Sequence, residues 1–345
     1  MQWARVVGPP AWGWMADHVK GRQGVARLIQ FSAIGALACS LLLLTDLGFW
    51  PLFMALCVMS FFLSGQVPIT ESLALQASHG SLKGYGRMRV WGSIGFIVAV
   101  VVAGPWFDAI GIAHLPASVI GMLCLVFMAT LWLPHREVHD LSPEPALLKN
   151  ILRDRRVQMF LSASFLMLLA HAPLYTLFSL WLHEQGFNRT QIGLFWGLAV
   201  IAEIVMFQSQ HHFFERFSIK ACWIASFVIT AVRFAMVAGS DGSVLVIAFA
   251  QVLHAVTFGV HHSATMSLIR QWFPAQAQAR GQALYTMASY GLGGSLGGIA
   301  AGWLYEAVSP EFAFAAAAGC AVLGALVALG AVLADATCHQ PPPSA

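Results

Sequence analysis

Charge is what this sequence has least of. Of its 345 residues only 10% are Asp, Glu, Lys or Arg, whereas a soluble domain carries about 25%. A water-facing surface cannot be built from so few charges, which excludes an ordinary soluble protein and leaves lipid as the solvent for most of the surface. Cysteine pairing is missing as well. Cys39, Cys57, Cys124, Cys222, Cys320 and Cys338 include no C-x-x-C spacing, so they read as small packing residues, not as a disulfide framework or a zinc site. There is no H-E-x-x-H, G-x-S-x-G or Walker sequence, which argues against a metalloprotease, a serine hydrolase and a nucleotide-driven pump. No enzyme activity, cofactor or metal is expected. His211-His212 has no further ligand at metal spacing and reads as interfacial. The N-terminal stretch lacks a basic n-region and a small-residue cleavage site, so it is not a signal peptide. A net charge of +3 does not imply nucleic acid, because the position of the basic residues matters more than their sum.

What is abundant is apolar sequence, at 58%. A bilayer core is crossed by ~20 apolar residues of helix. Eleven candidate spans lie near 1–16, 25–44, 51–74, 89–106, 115–133, 157–181, 191–212, 219–238, 243–268, 282–305 and 311–334. Each run is too long for a barrel strand and lacks strict alternation, so the expected class is an all-α integral membrane protein. If the first span runs outward to inward, fifteen Lys and Arg residues fall on the inner side and only Arg189 on the outer side. That asymmetry orients the chain, with a cytoplasmic C-terminus. The setting that fits is the inner membrane of a bacterium, with the chain a multi-pass monomer.

The long hydrophilic segment 134–156, with three prolines and nine charged residues, reads as a cytoplasmic linker. It separates an N-terminal bundle, 1–133, from a C-terminal six-helix bundle, 157–334, which is followed by a tail, 335–345. The bundles repeat. Ala103-Gly104-Pro105-Trp106 closes the fourth span and Ala301-Gly302-Trp303 closes the tenth, 198 positions later. The same offset carries Asp17 to Glu215, Arg22 to Lys220 and Arg5 to Glu203, as parallel repeats of a transporter would. The sixth span then has no partner, so a first helix is expected ahead of Met1. The alternative is a genuine eleven-span protein with an outer N-terminus.

Gly13-Trp14-Met15-Ala16-Asp17-His18-Val19-Lys20-Gly21-Arg22 resembles the loop motif after the second helix of major facilitator transporters. Lys20 stands as an insertion and His18 replaces the usual Arg. Tyr85-Gly86-Arg87-Met88-Arg89-Val90-Trp91-Gly92-Ser93-Ile94-Gly95-Phe96, Gln251 to His262, and Arg280-Gly281-Gln282-Ala283-Leu284-Tyr285 resemble the 3-phenylpropionic acid transporter family. That family is a proton-coupled branch of the same superfamily, related to sugar and nucleoside symporters. The resemblance covers nearly the whole chain. It implies the major facilitator fold, with twelve helices in two bundles around a central cavity. It also implies alternating access and symport of a small organic solute with protons. The motif residues Gly13, Asp17, Gly21 and Arg22 would then serve conformational change, together with Glu71, which follows Pro68 near the inner end of its span.

Ionisable residues inside spans are functional candidates by default. Glu203 lies ~20 Å from the outer end of its span, where a carboxylate is costly unless paired, hydrated or protonated. It can therefore carry a coupling proton, or be a structural Glu paired to a neighbouring helix. His254 and His261, seven residues apart, share a helix face and bracket the depth of Glu203. Each can relay a proton or bind a solute oxygen, or merely pack with its N–H on a carbonyl. His262 faces elsewhere and reads as structural. Arg233 can snorkel to the interface or clamp a solute carboxylate. Arg5 can pair with Glu203 across the repeat or bind ligand separately. The glycines of 291–302, with Gly92, Gly95, Ala99 and Ala103, read as close helix contacts. A proton-coupled solute transporter is the leading function. A membrane-embedded enzyme would need a convergent ligand set that the sequence lacks. A receptor, or an inactive truncated product, is the other class to separate from it.

Overall fold

The computed structural model describes residues 4–19, 23–46, 48–77, 82–133, 151–274 and 277–338. The helices in order are α1 (Ala4–His18), α2 (Gly24–Leu41), α3 (Phe49–Ser64), α4 (Gln66–Ala77), α5 (Leu82–Ile110) and α6 (Leu115–Thr130). There follow α7 (Arg155–Glu184), α8 (Arg189–Arg216), α9 (Ile219–Ala238), α10 (Val244–Val252), α11 (His261–Trp272), α12 (Gln278–Thr286), α13 (Gly294–Ala307) and α14 (Pro310–Cys338). Two π-helical segments, Ala255–Val260 and Met287–Gly293, join α10 to α11 and α12 to α13. With these joins counted as internal, and α3 and α4 read as one rod broken at Gly65, eleven rods run through the described residues. Seven of them are long and apolar enough on those grounds alone to cross a bilayer.

The surface is that of a protein dissolved in lipid. Leu245 is 81% exposed and Leu326 62%, while Phe160, Trp223 and Phe314 are fully buried. Aliphatic side chains that would be costly in water lie against acyl chains instead.

The chain divides into two compact units, Met1–Phe96 with Pro105–Leu141, and Ile97–Gly104 with Ser142–Ala345. In the first, Trp12, Ile29, Ile69 and Leu73 form the core. The third rod breaks because Pro68 has no N–H to give the carbonyl four residues back. Just before the break, Trp12 Nε1 donates to Phe61 O at 2.8 Å. A Cβ on Gly65 would lie 2.2 Å from Trp12 Cγ, so glycine there makes room for the indole.

In the second unit α7 is the central helix. Its apolar window is 56% buried, against 28% for α14. α13 and its π turn approach α7 through glycine. A Cβ on Gly293 would lie 2.5 Å from Phe165 O, and one on Gly297 2.9 Å from Leu169 O. The other predicted stripe behaves differently, since a Cβ on Gly92 or Gly95 meets nothing within 4 Å.

Local sequence fixes the helix ends. Asp154 caps α7 by accepting from Arg156 N at 2.8 Å. Asn188 and Gln191 form a capping box at α8, and Ser218 caps α9 by accepting from Ala221 N. These bonds meet N–H groups that have no intrahelical acceptor. The side-chain hydrogen bond from Arg156 holds the Asp154 carboxyl below its ordinary range.

The sixth rod starts at Arg155 and the last runs to Cys338, beyond the spans read from hydropathy. Asp335, placed in the tail by the sequence, therefore sits inside α14 and is buried. It receives Arg156 Nη1 at 2.7 Å and Lys220 Nζ at 2.5 Å, tying α7, α9 and α14 together. The span rule misses it because a charge ends an apolar window even where partners on neighbouring helices neutralise it. Residues 134–150 of the expected linker lie outside the described residues.

Two stability changes are expected, both read by thermal unfolding in detergent. Gly297→Leu drives a side chain into the α7 backbone and lowers stability by about 1–3 kcal/mol, whereas Gly302→Leu, with open space at its Cβ, changes it little. Asp335→Asn removes two ion pairs and costs about 1–3 kcal/mol, below the value for a fully buried pair because Lys220 is partly solvated. Equal melting of the two glycine variants would contradict the close contact with α7.

Candidate functional site

The site begins with one buried cation. Arg233 on α9 is 0% exposed, so it does not snorkel. Its donors are met from α10 and the π segment that follows. Nε donates to Ala250 O at 2.7 Å, Nη2 to Gln251 Oε1 at 3.0 Å, and Nη1 to Thr257 Oγ1 at 3.0 Å. Nη1 also lies 3.0 Å from His254 Nδ1. Four of the five guanidinium N–H groups are thereby engaged. The fork dictates how its partners turn. Gln251 offers its oxygen to Arg233, which leaves the buried Nε2 of its amide without a partner among the described residues.

The same logic fixes His254. A guanidinium has no acceptor, so Nδ1 must be the bare nitrogen and Nε2 carries the proton. Nε2 lies 3.7 Å from Glu203 Oε2 on α8. Arg233, His254 and Glu203 thus form one line across three helices, from cation through a neutral imidazole to a carboxylate. His254 is 5% exposed and the Glu203 side chain 14%, so the carboxylate is the most exposed member of the line. Gly259 of the π segment stands beside it, with its Cβ position 3.8 Å from Glu203 Cγ.

His261 also turns to α9, but to a different end. Ser226 donates its hydroxyl to Trp223 O at 2.6 Å and accepts from His261 Nδ1 at 2.9 Å. His261 Nε2 lies 3.4 Å from Thr265 Oγ1. Both ring nitrogens are occupied within the protein, which is the packed arrangement.

A histidine that the sequence reading passed over stands opposite. His171 on α7 is 2% exposed, with Nδ1 2.9 Å from Met167 O. Together with Tyr175, Thr257, Phe258, Tyr285 and Tyr290 it lines a cavity of about 10 Å³, close to the size of one water. Its sequence signal was available, since an imidazole in mid-span is a functional candidate by default. Phe258 and His262 line the same cavity, and His254, Phe258 and His262 stack in one row, at 5.3 and 6.1 Å between centroids.

Of the remaining predicted residues, Gly21 and Arg22 lie outside the described residues, as do the side chains of Arg5, Asp17 and Glu71. Gly13 lies in α1 with open space at its Cβ position. Among the described residues no group of three or more His, Cys, Asp or Glu could hold a metal.

A multi-pass helical protein with an ordered ionic line inside one of its units has the build of a membrane transporter, and comparison with known proteins agrees. The pattern of the MFS_1 like family matches residues 1–316. The chain belongs to that family, and so to the major facilitator superfamily of transporters. It is 28% identical over 326 residues to the maltose permease of Geobacillus stearothermophilus, covering 93% of this chain and 80% of that one. It is 26% identical over 290 residues to the probable 3-phenylpropionic acid transporter of Escherichia coli strain K12, covering 81% and 75%. The resemblance to the phenylpropionate family is thus one of several at like distance. The crystal structure of the nucleoside transporter NupG superposes with a TM-score of 0.77 at 20% identity, over 96% of this chain and 88% of that one.

The fork geometry around Arg233 predicts that lysine cannot replace it. Arg233→Lys keeps the charge but loses the bonds to Ala250 and Gln251, and lowers stability by about 3 kcal/mol or more. Thr257→Val removes one bond and costs about 1 kcal/mol. Thermal unfolding in detergent measures both, and a milder loss in Arg233→Lys than in Thr257→Val contradicts this assignment.

Proposed function

We propose that this chain is a proton-coupled symporter of a small organic solute, of the sugar, nucleoside or aromatic acid class, working by alternating access as a monomer. The observation that carries the proposal is the line from Arg233 through His254 to Glu203. Ionised Glu203 faces the Nε2–H of His254 at 3.7 Å, with the buried guanidinium behind it. Protonation of Glu203 removes most of that attraction. A carboxylate with two such states, partly exposed inside a span, would bind a proton on one side of the membrane and release it on the other. Arg233 is a positioning residue here, since four of its donors are taken. His254 orients Glu203, and His261 braces α11 on α9. Gly13, Asp17, Gly21 and Arg22 keep the conformational role that the family resemblance implies, Arg5 the ion-pair or ligand role read from the repeat, and Glu71 a gating role near the inner end of its span. The protein belongs in the plasma membrane of a bacterium, with residues 134–156 and the C-terminus on the cytoplasmic side.

The test uses proteoliposomes with an imposed proton gradient and labelled maltose, uridine and 3-phenylpropionate. Glu203→Gln mimics the protonated form. It is expected to abolish accumulation while sparing exchange of solute across the membrane, because exchange needs no net proton release. His254→Ala is expected to weaken coupling less, since a water can replace one imidazole bond. If Glu203→Gln still accumulates solute against a gradient with unchanged pH dependence, the coupling site lies elsewhere.

A further inference from the structure

Two features that the ionic line does not use meet at one place. The first is His171. A carbonyl only accepts, so the contact with Met167 O puts the ring proton on Nδ1 and leaves Nε2 a bare acceptor. That Nε2 is fully buried and has no hydrogen-bond partner among the described residues. Native interiors rarely leave such a group unmatched, and a functional partner is one of the accepted reasons when they do. The second feature is the pair of π segments. They lie on different rods, yet Thr257 and Phe258 of one and Tyr290 of the other border the same cavity as His171. π turns interrupt regular helix at a cost and occur frequently at functional sites.

We infer that His171 Nε2 accepts a hydrogen bond from a hydroxyl of the transported solute, which is therefore a neutral polyhydroxylated molecule and not a carboxylate. This rests on the transporter reading above and narrows its solute. An ionised carboxylate brings only acceptors, so against Nε2 it would set lone pair against lone pair. A hydroxyl donates into the bare nitrogen and can also accept from Thr257 or a tyrosine. Arg233, the cation that could have neutralised a carboxylate, has its fork turned to α10 and the π segment. No Lys or Arg is among the residues that line the cavity. The faces of Phe258 and Tyr285 suit the flat side of a sugar ring or a base. At about 10 Å³ the space admits the solute only when the rods part.

The experiment titrates the full chain in detergent, following tryptophan fluorescence, with maltose, uridine and 3-phenylpropionate. Maltose or uridine is expected to bind, and 3-phenylpropionate neither to bind nor to compete. His171→Phe keeps the ring and removes the acceptor, and is expected to weaken binding about tenfold, the worth of one hydrogen bond. His171→Gln supplies an oxygen acceptor and is expected to restore most of the affinity, which separates a lost bond from a misfolded chain. A deoxy analogue of the bound solute should be disfavoured by the native chain and no longer disfavoured by His171→Phe. Binding of 3-phenylpropionate, absence of binding by both hydroxylated solutes, unchanged affinity in His171→Phe, or equal loss in the Phe and Gln variants overturns the inference. The coupling proposal stands or falls separately, because Glu203→Gln is read by accumulation and His171→Phe by binding.

Discussion

A guanidinium sealed inside a bundle that faces lipid can persist only if nearly every N–H finds an acceptor, and much of the second unit can be traced to meeting that demand at Arg233. Isolated burial of such a charge costs several kcal/mol. Its acceptors come from a backbone carbonyl, an amide, a hydroxyl and an imidazole along one stretch of chain, Ala250 to Thr257. That stretch includes the start of a π segment. The bonds lock α9 to α10, choose the face of the Gln251 amide, and select the tautomer of His254. Within that frame Glu203 Oε2 stands 3.7 Å from an N–H that exists because a cation occupies the other side of the ring.

Much of the architecture was legible in the sequence. Helices in lipid must be written as apolar runs, because no other composition lets a backbone cross hydrocarbon. The runs found the rods and their order. They placed the ends less well, since polar caps and the ion cluster at Asp335 prolong a helix without raising its hydropathy. They gave no hint of the π segments, because a π turn changes hydrogen-bond register and not composition. The break at Gly65 was signalled by Pro68, but the role of Trp12 in filling it was not, since that contact joins residues 49 positions apart.

The candidate site was legible in the same partial way. Charge and imidazole inside apolar runs picked out Arg233, Glu203, His254 and His261 as residues to explain, and the first three stand in one line. What one sequence cannot carry is direction. Snorkelling and inward burial of Arg233 fit the same composition, and only the partners on α10 and the adjoining π segment decide between them. His261 and His171 look alike as letters. One has both nitrogens occupied by hydroxyls and the other has a buried nitrogen without a partner among the described residues, a distinction set by Ser226, Thr265 and Met167. The glycine stripes show the same limit. Gly293 and Gly297 have backbone within reach, while Gly92 and Gly95 have nothing.

The three buried imidazoles hold their protons at opposite ends. His171 and His261 carry them on Nδ1, placed there by a carbonyl and a hydroxyl, and His254 carries its proton on Nε2 because Arg233 claims the other nitrogen. A proton wire through histidine needs a ring that receives at one nitrogen and releases at the other. His254 cannot receive, since its only lone pair is already filled by a guanidinium N–H. It is a terminus and not a conductor. On the coupling proposed above, the His254 ring would hold Glu203 in place and pass no proton to it.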